Sequence, residues 1–592
     1  MKPRADSALP AAKAGRANSR VRLWYAVLLF IAAVFIIRLF YLQIIRHDYY
    51  RQQALSGQLK QYSVPAARGI IKAHDGDQTV PIVLNETLYT LYADPVFIKD
   101  PEKSALKLSE ITKGDSHKYA KLMKTDNTRY VILSKKLTEE QRKRILALRL
   151  PGVGLQAQDY RTYPQTTLAS QLLGFVNDEG KGTYGVEQSL NKELSGTPGM
   201  LRAITDASGV PLAASKNNIE VAPKNGHSVV LTIDLAMQKQ LETILKEGLE
   251  RAKSKSGSAL VIDPNTGAIK AMANWPTYNP GQYFTYSDAS IFTNSAVSSP
   301  LEVGSVMKVL TASAALDKGV IRPDTTYYDP GRWEVDGHTI TNVEESGGPG
   351  TRSLADILNL SINTGATWML IQMGGGELNQ KARETWHDYM VNRFQFGKLT
   401  NVEQGYEATG YVPNPKLGDG LNIAYANTSF GQAMTATPLQ MAAALSSVLN
   451  GGTYYQPRLV DATVDAGGKV SPKKPVSVRS GVVASRVSLQ MQSLMEYVVT
   501  NHYLRPPFGS NYSVGGKTGT AQIANPAGGY WGDRYNGMYI GFVGGDHPQY
   551  VIAVRVNEPG IGGYAGSAAA QPIFTRLGHM LINNFGVTPR SQ

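Results

Sequence analysis

The chain has 592 residues, 42% of them hydrophobic, with a formal net charge of +13 and no cysteine. That length asks for more than one domain, and the apolar share supports sizeable cores. The missing cysteines exclude disulfides, thiolate metal ligands and a thiol nucleophile, and the charge, of which residues 1–22 carry +5, leaves no dense basic stripe for nucleic acid.

Residues 1–22 hold six Lys/Arg against one Asp and show no apolar period, which predicts a disordered cytoplasmic tail. From Leu23 to Ile45 the chain is apolar apart from Arg38 and Gln43, long enough to span a bilayer, with Trp24 and Tyr41 placed for its two interfaces. A cleaved signal peptide is the rival reading. It is disfavoured because small residues follow the apolar run only at Ala54 and Ser56, too far on for cleavage. Arg38 is expected to snorkel outward rather than face a partner helix. The basic flank predicts a single-pass plasma (inner) membrane protein, its amino end cytoplasmic and its bulk extracytoplasmic.

Residues 46–225 alternate short strand-like and helical pieces, rich in glycine and proline from Pro151 to Gly199, and predict a mixed α/β pedestal. Tyr130–Ser134 reads as a strand and Leu137–Leu148 as a surface helix. Glu187 has no second acid paired with it, so a structural salt bridge or turn contact outweighs a catalytic role.

The texture changes near Gly226, and residues 226–592 form the second large domain. Ser228–Ile233 reads as a strand and Leu235–Lys253 as an amphipathic helix capped by Asp234. Ala259–Ile262 and Ala268–Ala273 flank Asp263-Pro264-Asn265-Thr266-Gly267, a hairpin with sound turn chemistry. Helical stretches are expected over Val306–Leu316, Leu354–Met373 and Pro438–Leu449, with strands returning at Met538–Val543 and Tyr550–Val556. Strands at both ends with helices between them imply one α/β domain whose terminal segments share a sheet.

Three short motifs carry the chemistry. Ser305-Val306-Met307-Lys308 opens the first of those helices, placing a lysine amine one turn from a serine hydroxyl among unpaired backbone N–H groups. That suits a serine nucleophile whose proton goes to the lysine. Ser-x-x-Lys alone says little, since it recurs at Ser104, Ser189 and Ser471. Ser361-Ile362-Asn363 follows 56 residues after Ser305, and Lys517-Thr518-Gly519-Thr520 follows 212 residues after it. This ordered trio is the pattern of penicillin-binding proteins and class A β-lactamases. The nine histidines are scattered, which supports neither a zinc site nor a histidine-based triad.

With these residues in place, the chain resembles the class B penicillin-binding proteins, monofunctional peptidoglycan D,D-transpeptidases of the bacterial wall. Arg38-Leu39-Phe40-Tyr41-Leu42-Gln43 is similar to the family's anchor. Arg68-Gly69, Arg161-Thr162-Tyr163-Pro164 and Gly182 to Glu187 resemble its pedestal motifs. Leu231-Thr232-Ile233-Asp234, Ser429-Phe430-Gly431-Gln432 and Thr437-Pro438-Leu439-Gln440 match further segments. Tyr539-Ile540-Gly541-Phe542-Val543 and Ala569-Ala570-Gln571-Pro572-Ile573-Phe574 look more like the division-specific than the elongation branch. There are departures. Val303 stands for the usual proline, Met307 for a frequent phenylalanine, Gln171 for a histidine and Ala433 for a glycine, and the usual Asp-Arg-Asn-Gly after Arg68-Gly69 is missing.

The resemblance implies a transmembrane helix, an elongated mixed α/β pedestal of the dimerisation type, and a β-lactamase-like transpeptidase domain, a sheet flanked by helices. It implies that Ser305 attacks the penultimate D-Ala carbonyl of a stem peptide, with Lys308 as base and Ser361 as proton relay. Burial and the charge of Lys517 both depress the lysine's pKa. Asn363 would hold the peptide's amides, while Lys517, Thr518 and Thr520 bind the terminal carboxylate and Gly519 leaves room for the substrate backbone. The Ser305 and Thr520 N–H groups would form the oxyanion hole. No cofactor or metal is implied. The implied partners are D-Ala-D-Ala stem peptides, β-lactams, the membrane, a SEDS-type glycan polymerase and other division-machinery membrane proteins. A penicillin-sensitive hydrolase (carboxypeptidase or β-lactamase-like) shares the trio, and a non-enzymatic scaffold of the division machinery or a β-lactam sensor remains a further class. The anchor and pedestal favour wall synthesis.

Overall fold

The apolar run near the amino end forms an α-helix over Ser19–Phe40 that continues as one π turn, Tyr41–Ile45. The span Val21–Ile45 has 25 residues, about 37 Å at 1.5 Å per residue, which exceeds the ~30 Å of a hydrocarbon core. The Arg38 guanidinium lies 5.5 Å from the Tyr41 ring centroid. This computed structural model describes residues 19–50, 59–204, 219–343, 346–418, 421–501 and 508–591. Most of the tail expected over residues 1–22 lies outside them. The helix begins at Ser19, so it takes in the last basic residues assigned to that tail.

Chain contacts divide into two units, residues 1–66 with 197–224, and residues 67–196 with 225–592. Besides the apolar helix, the first contains a three-stranded antiparallel sheet in which Gly199–Ile204 lies between Leu59–Val64 and Ile219–Val221.

The second unit is built on a five-stranded antiparallel sheet, ordered Ile269–Trp275, Ser256–Ile262, Pro548–Asn557, Tyr530–Gly544 and Ser513–Ala524. Strands from both ends of the expected domain do share this sheet. Alternate residues explain its layers. Ala259, Val261, Ile552, Val554 and Tyr539 pack with Leu241, Leu245 and Phe574 of the helices Leu235–Arg251 and Gln571–Asn584. Leu260, Ile262, Val551, Ala553 and Ile540 join a larger core on the opposite face, with Val306, Met307, Val309 and Leu310. Both faces are covered, so the strands read as continuous apolar runs.

Two helices inside the larger core are buried all round. Met307–Asp317 buries ten of its eleven residues, Met307 through Leu316. Pro438–Leu449 is buried throughout, and Thr437 with Gln440 closes a capping box at its start. That box is the physical content of the Thr437-Pro438-Leu439-Gln440 segment.

A second sheet runs Val470–Pro472, Val460–Val464, Ser228–Asp234, Ile71–Asp75, Gln78–Ala93 and Val131–Leu137, with Val153–Thr162 also paired to Gln78–Ala93. Ser228–Asp234 is parallel to Ile71–Asp75, so one sheet crosses the expected boundary at residue 225. Sequence cannot show this, because a strand carries no local mark of which partner it pairs with.

Glu187 settles as a structural acid. Its carboxylate accepts from Arg161 Nε at 2.7 Å and from Arg68 Nε at 2.8 Å, and its side chain is fully buried. Arg161 Nη1 also donates to Asn85 and Arg68 Nη1 to Asn191, so one acid ties four segments together. Removing it strands two buried guanidinium groups. Glu187→Ala is therefore expected to cost about 3–5 kcal/mol, seen as a lower thermal melting temperature with penicillin labelling per folded molecule preserved. A cost below about 1 kcal/mol would contradict this.

Candidate active site

The chain reaches Ser305 through a turn that only glycine fits. Gly304 has φ +63°, and a Cβ there would run into the Thr520 backbone. One 3-10 turn, Gly304–Val306, leads into the helix Met307–Asp317, so Ser305 sits at a helix start as its sequence predicts. Lys308 lies one turn on, fully buried, with Nζ 2.9 Å from Ser305 Oγ.

The expected helix Leu354–Met373 is two helices, Leu354–Asn359 and Asn363–Met373. Between them Ser361 has φ +56°, the left-handed region that costs a residue with a Cβ roughly 1–2 kcal/mol. This break turns both the carbonyl and the hydroxyl of Ser361 onto one amine. Lys308 Nζ lies 2.5 Å from Ser361 O and 3.2 Å from its Oγ. No proline or glycine falls at the break, which explains why the sequence hid it.

Asn363 opens the second helix. Its Oδ1 accepts from Lys308 at 2.8 Å and its Nδ2 donates to Thr341 O at 2.9 Å. Both ends of an amide expected to face substrate are thus engaged within the protein. The next residue is held more firmly still: Thr364 donates its hydroxyl to the buried Asp329 at 2.7 Å and its N–H to Asn342 at 3.0 Å.

Lys517 comes from the edge strand Ser513–Ala524, is 2% exposed, and has Nζ 3.0 Å from Ser361 Oγ. The Ser361 hydroxyl therefore stands between two buried amines. Burial pushes Lys517 down to about 7. Lys308 is held well below the ordinary lysine range, first by burial and then by the charge of Lys517.

Ser305, Ser361, Asn363, Thr518 and Thr520 all line one cleft of 1190 Å³, with the lysines walled off behind them. Gly519 packs against the nucleophile turn, since a Cβ there would meet Val303 O and the Val306 side chain. The Thr520 hydroxyl accepts from Gly566 N–H at 3.0 Å, leaving its own hydrogen to donate. All eight residues expected from the sequence are thus brought to one place. Ser104, Ser189 and Ser471 do not line the cleft.

Sequence reasoning missed two groups. One is Thr341, whose carbonyl orients Asn363 from a hairpin (Arg332–Val335 with His338–Thr341) whose Asp336-Gly337 turn, both residues at positive φ, was a signal in the sequence that went unread. The other is Glu302, whose Oε1 accepts from Ala433 N–H and from the Tyr530 hydroxyl, each at 2.9 Å. Its place three residues before Ser305 is the only signal it offers.

Comparison with known proteins agrees with this geometry. The Penicillin binding protein transpeptidase domain matches residues 257–578, and the Penicillin-binding Protein dimerisation domain matches residues 63–231. Penicillin-binding protein PbpB of Mycobacterium tuberculosis is 31% identical, over 96% of this chain and 85% of that protein. Peptidoglycan D,D-transpeptidase FtsI of Escherichia coli is 26% identical, over 93% of this chain and 89% of its own length. The crystal structure of penicillin binding protein 2X from Streptococcus thermophilus shares the fold, with a TM-score of 0.71 at 23% identity over 89% of this chain and 80% of that one. The chain belongs to the class B penicillin-binding proteins of the division-type branch, the serine transpeptidases of cell-wall synthesis that β-lactams target.

Proposed function

We propose that Ser305 is the residue acylated, that Lys308 is its base, and that the remaining cleft residues divide the substrate between them. The observation that carries this is the hydrogen-bond accounting at Lys308 Nζ. Ser361 O and Asn363 Oδ1 are acceptors only, and they take the two N–H groups of a neutral amine. The lone pair then faces Ser305 Oγ 2.9 Å away, ready to receive its proton. Burial supplies the neutral state.

Ser305 Oγ adds to the penultimate D-Ala carbonyl of a stem peptide as its proton passes to Lys308. The oxyanion forms between the Ser305 and Thr520 N–H groups. On collapse the C–N bond breaks, and the proton returns through Ser361 to the departing D-Ala amine. Thr518 and Thr520 give the terminal carboxylate two hydroxyl donors, and Lys517 supplies its positive charge from behind them. Asn363 must release Thr341 to bind a peptide amide; otherwise its part is to orient Lys308. An acceptor amine then retraces these steps and forms the cross-link.

Among the described residues, those lining the cleft include no carboxylate and no histidine. That disfavours the hydrolase reading, for water arriving at the ester finds no second base. In the cell we assign residues 1–22 to a cytoplasmic tail, 23–45 to the anchor, 46–225 to the pedestal and 226–592 to the transpeptidase domain, the bulk of it outside the plasma membrane. The six-to-one basic bias before Leu23 supports the orientation. A SEDS-type glycan polymerase and other division-machinery membrane proteins are the proposed partners at the septum.

Ser305→Ala is expected to abolish covalent labelling by fluorescent penicillin without lowering the melting temperature. Labelling that persisted or moved to Ser104, Ser189 or Ser471 would overturn the assignment.

The pH profile of kcat/KM follows from the two amines. Lys308 must be neutral, so activity rises as pH climbs through its depressed pKa, far below the free-lysine value of about 10.4. Lys517 must be charged, so kcat/KM, which reports the free enzyme, falls as pH passes about 7. A rate still climbing at pH 10 would show that Lys308 is an ordinary lysine.

With a peptide donor, an added D-amino acid should divert product from free acid to amide, while the penicilloyl-enzyme persists for many minutes. Rapid β-lactam turnover with no capture by the amine would identify a hydrolase instead.

A further inference from the structure

The segment Leu301–Gly304 that delivers Ser305 is held on one side like a short strand. Leu301 and Ala436 exchange two backbone hydrogen bonds at 3.0 Å, and Gly304 N–H donates to Gly431 O at 3.0 Å. Between those points the backbone partner is replaced by a side chain, because Glu302 Oε1 takes the Ala433 N–H. Ala433 itself stands at φ +56°, outside any regular strand. The same oxygen takes the Tyr530 hydroxyl, reaching over from the strand Tyr530–Gly544. That strand is paired along its length with Ser513–Ala524, which carries Lys517 to Thr520. One carboxylate oxygen thus joins three separate pieces of chain: the nucleophile turn, the loop before Pro438, and the arm beyond Thr520. Among the described residues the other oxygen, Oε2, is buried without a hydrogen-bond partner. A buried acceptor left unsatisfied is costly, so this acid is kept for what Oε1 does.

We propose that Glu302 is a positioning residue for acylation, setting the distance between the Ser305 and Thr520 N–H groups by clamping the nucleophile turn to the Tyr530 arm and to Ala433. This rests on the reading of Ser305 and Thr520 as the oxyanion hole. Gly304 and Thr520 are the close-approach point on the opposite side of the same turn. Val303, with φ −87° and no ring to fix it, does not set that turn by itself. The turn is therefore held between the Gly519–Thr520 backbone and the Glu302 clamp. Loosening the clamp lets the donor pair spread. Glu302 itself does not line the cleft and touches neither Ser361, Asn363 nor Thr518, so the loss falls mainly on the rate of bond formation.

The test is rapid-mixing acylation of the full chain by a fluorescent penicillin, separating the initial binding constant from the acylation rate constant, with melting temperatures taken in parallel. Glu302→Ala is expected to lower the acylation rate constant on the order of tenfold to a hundredfold, approaching the loss of one oxyanion donor, with the binding constant changed less than about threefold. Glu302→Gln keeps an acceptor oxygen for both donors and should recover to within about threefold of the parent. Tyr530→Phe, a change on an exposed arm that leaves the core alone, should lose about threefold to tenfold in the same rate constant. If Glu302→Ala does not fold, the Gln and Phe variants decide the matter. An unchanged acylation rate in Tyr530→Phe, or a Gln variant that matches the Ala variant, overturns the clamp. Failure of the unsubstituted protein to be acylated at Ser305 would instead overturn the reading on which it rests.

Discussion

In the proposed reading Lys308 works as a base and has to lose its proton at neutral pH, which a protein achieves mainly by taking the amine out of water. Lys308 is fully buried, and much of the surrounding architecture serves that condition. The helix that carries it is buried on every side from Met307 to Leu316, packed inside the larger core and not across its surface. Both faces of the five-stranded sheet are covered, which brings the edge strand with Lys517 to the same depth. Two desolvated amines a hydroxyl apart would be unfavourable if both were charged. The serine between them, and the neutrality of one, is how the arrangement persists.

Around that pair the backbone accepts strain where geometry demands it. Ser361 sits in the left-handed region without being glycine, and in exchange offers two oxygens to Lys308. Gly304, Gly431 and Gly519 are there for a different reason. At each, a Cβ would collide with neighbouring backbone of the nucleophile turn or of Thr520. Three chain segments consequently approach closely, and the proposed oxyanion donors at Ser305 and Thr520 belong to backbone held by that packing before any substrate arrives. Preorganisation of this kind is what makes donors effective toward a charge that exists only in the transition state.

Much of this was legible in the residues. The trio of motifs, in its order, led to the five cleft residues, the two lysines and Gly519, and the apolar run before Arg46 gave the membrane-length helix. The hairpin over Asp263–Gly267 and the Asp234 cap followed from turn and capping chemistry, and the shared sheet from strands at both ends of the domain with helices between them. Glu187 was read correctly as a structural acid, although its two arginines lie 119 and 26 residues away and no spacing rule would pair them.

What escaped was of one kind. The helix break at Ser361, the Thr341 carbonyl behind Asn363, the parallel pairing of Ser228–Asp234 with Ile71–Asp75, and the Glu302 clamp all depend on partners distant in sequence. Local composition determines which residues form helices, turns and apolar strands, and which chemical groups are present to react, because those follow from short-range sterics and periodicity. Distances of 2.5–3.2 Å around Lys308 Nζ, and the pKa values that follow from burial, were decided only when distant segments packed together, for desolvation belongs to the surroundings of a side chain and not to the side chain itself.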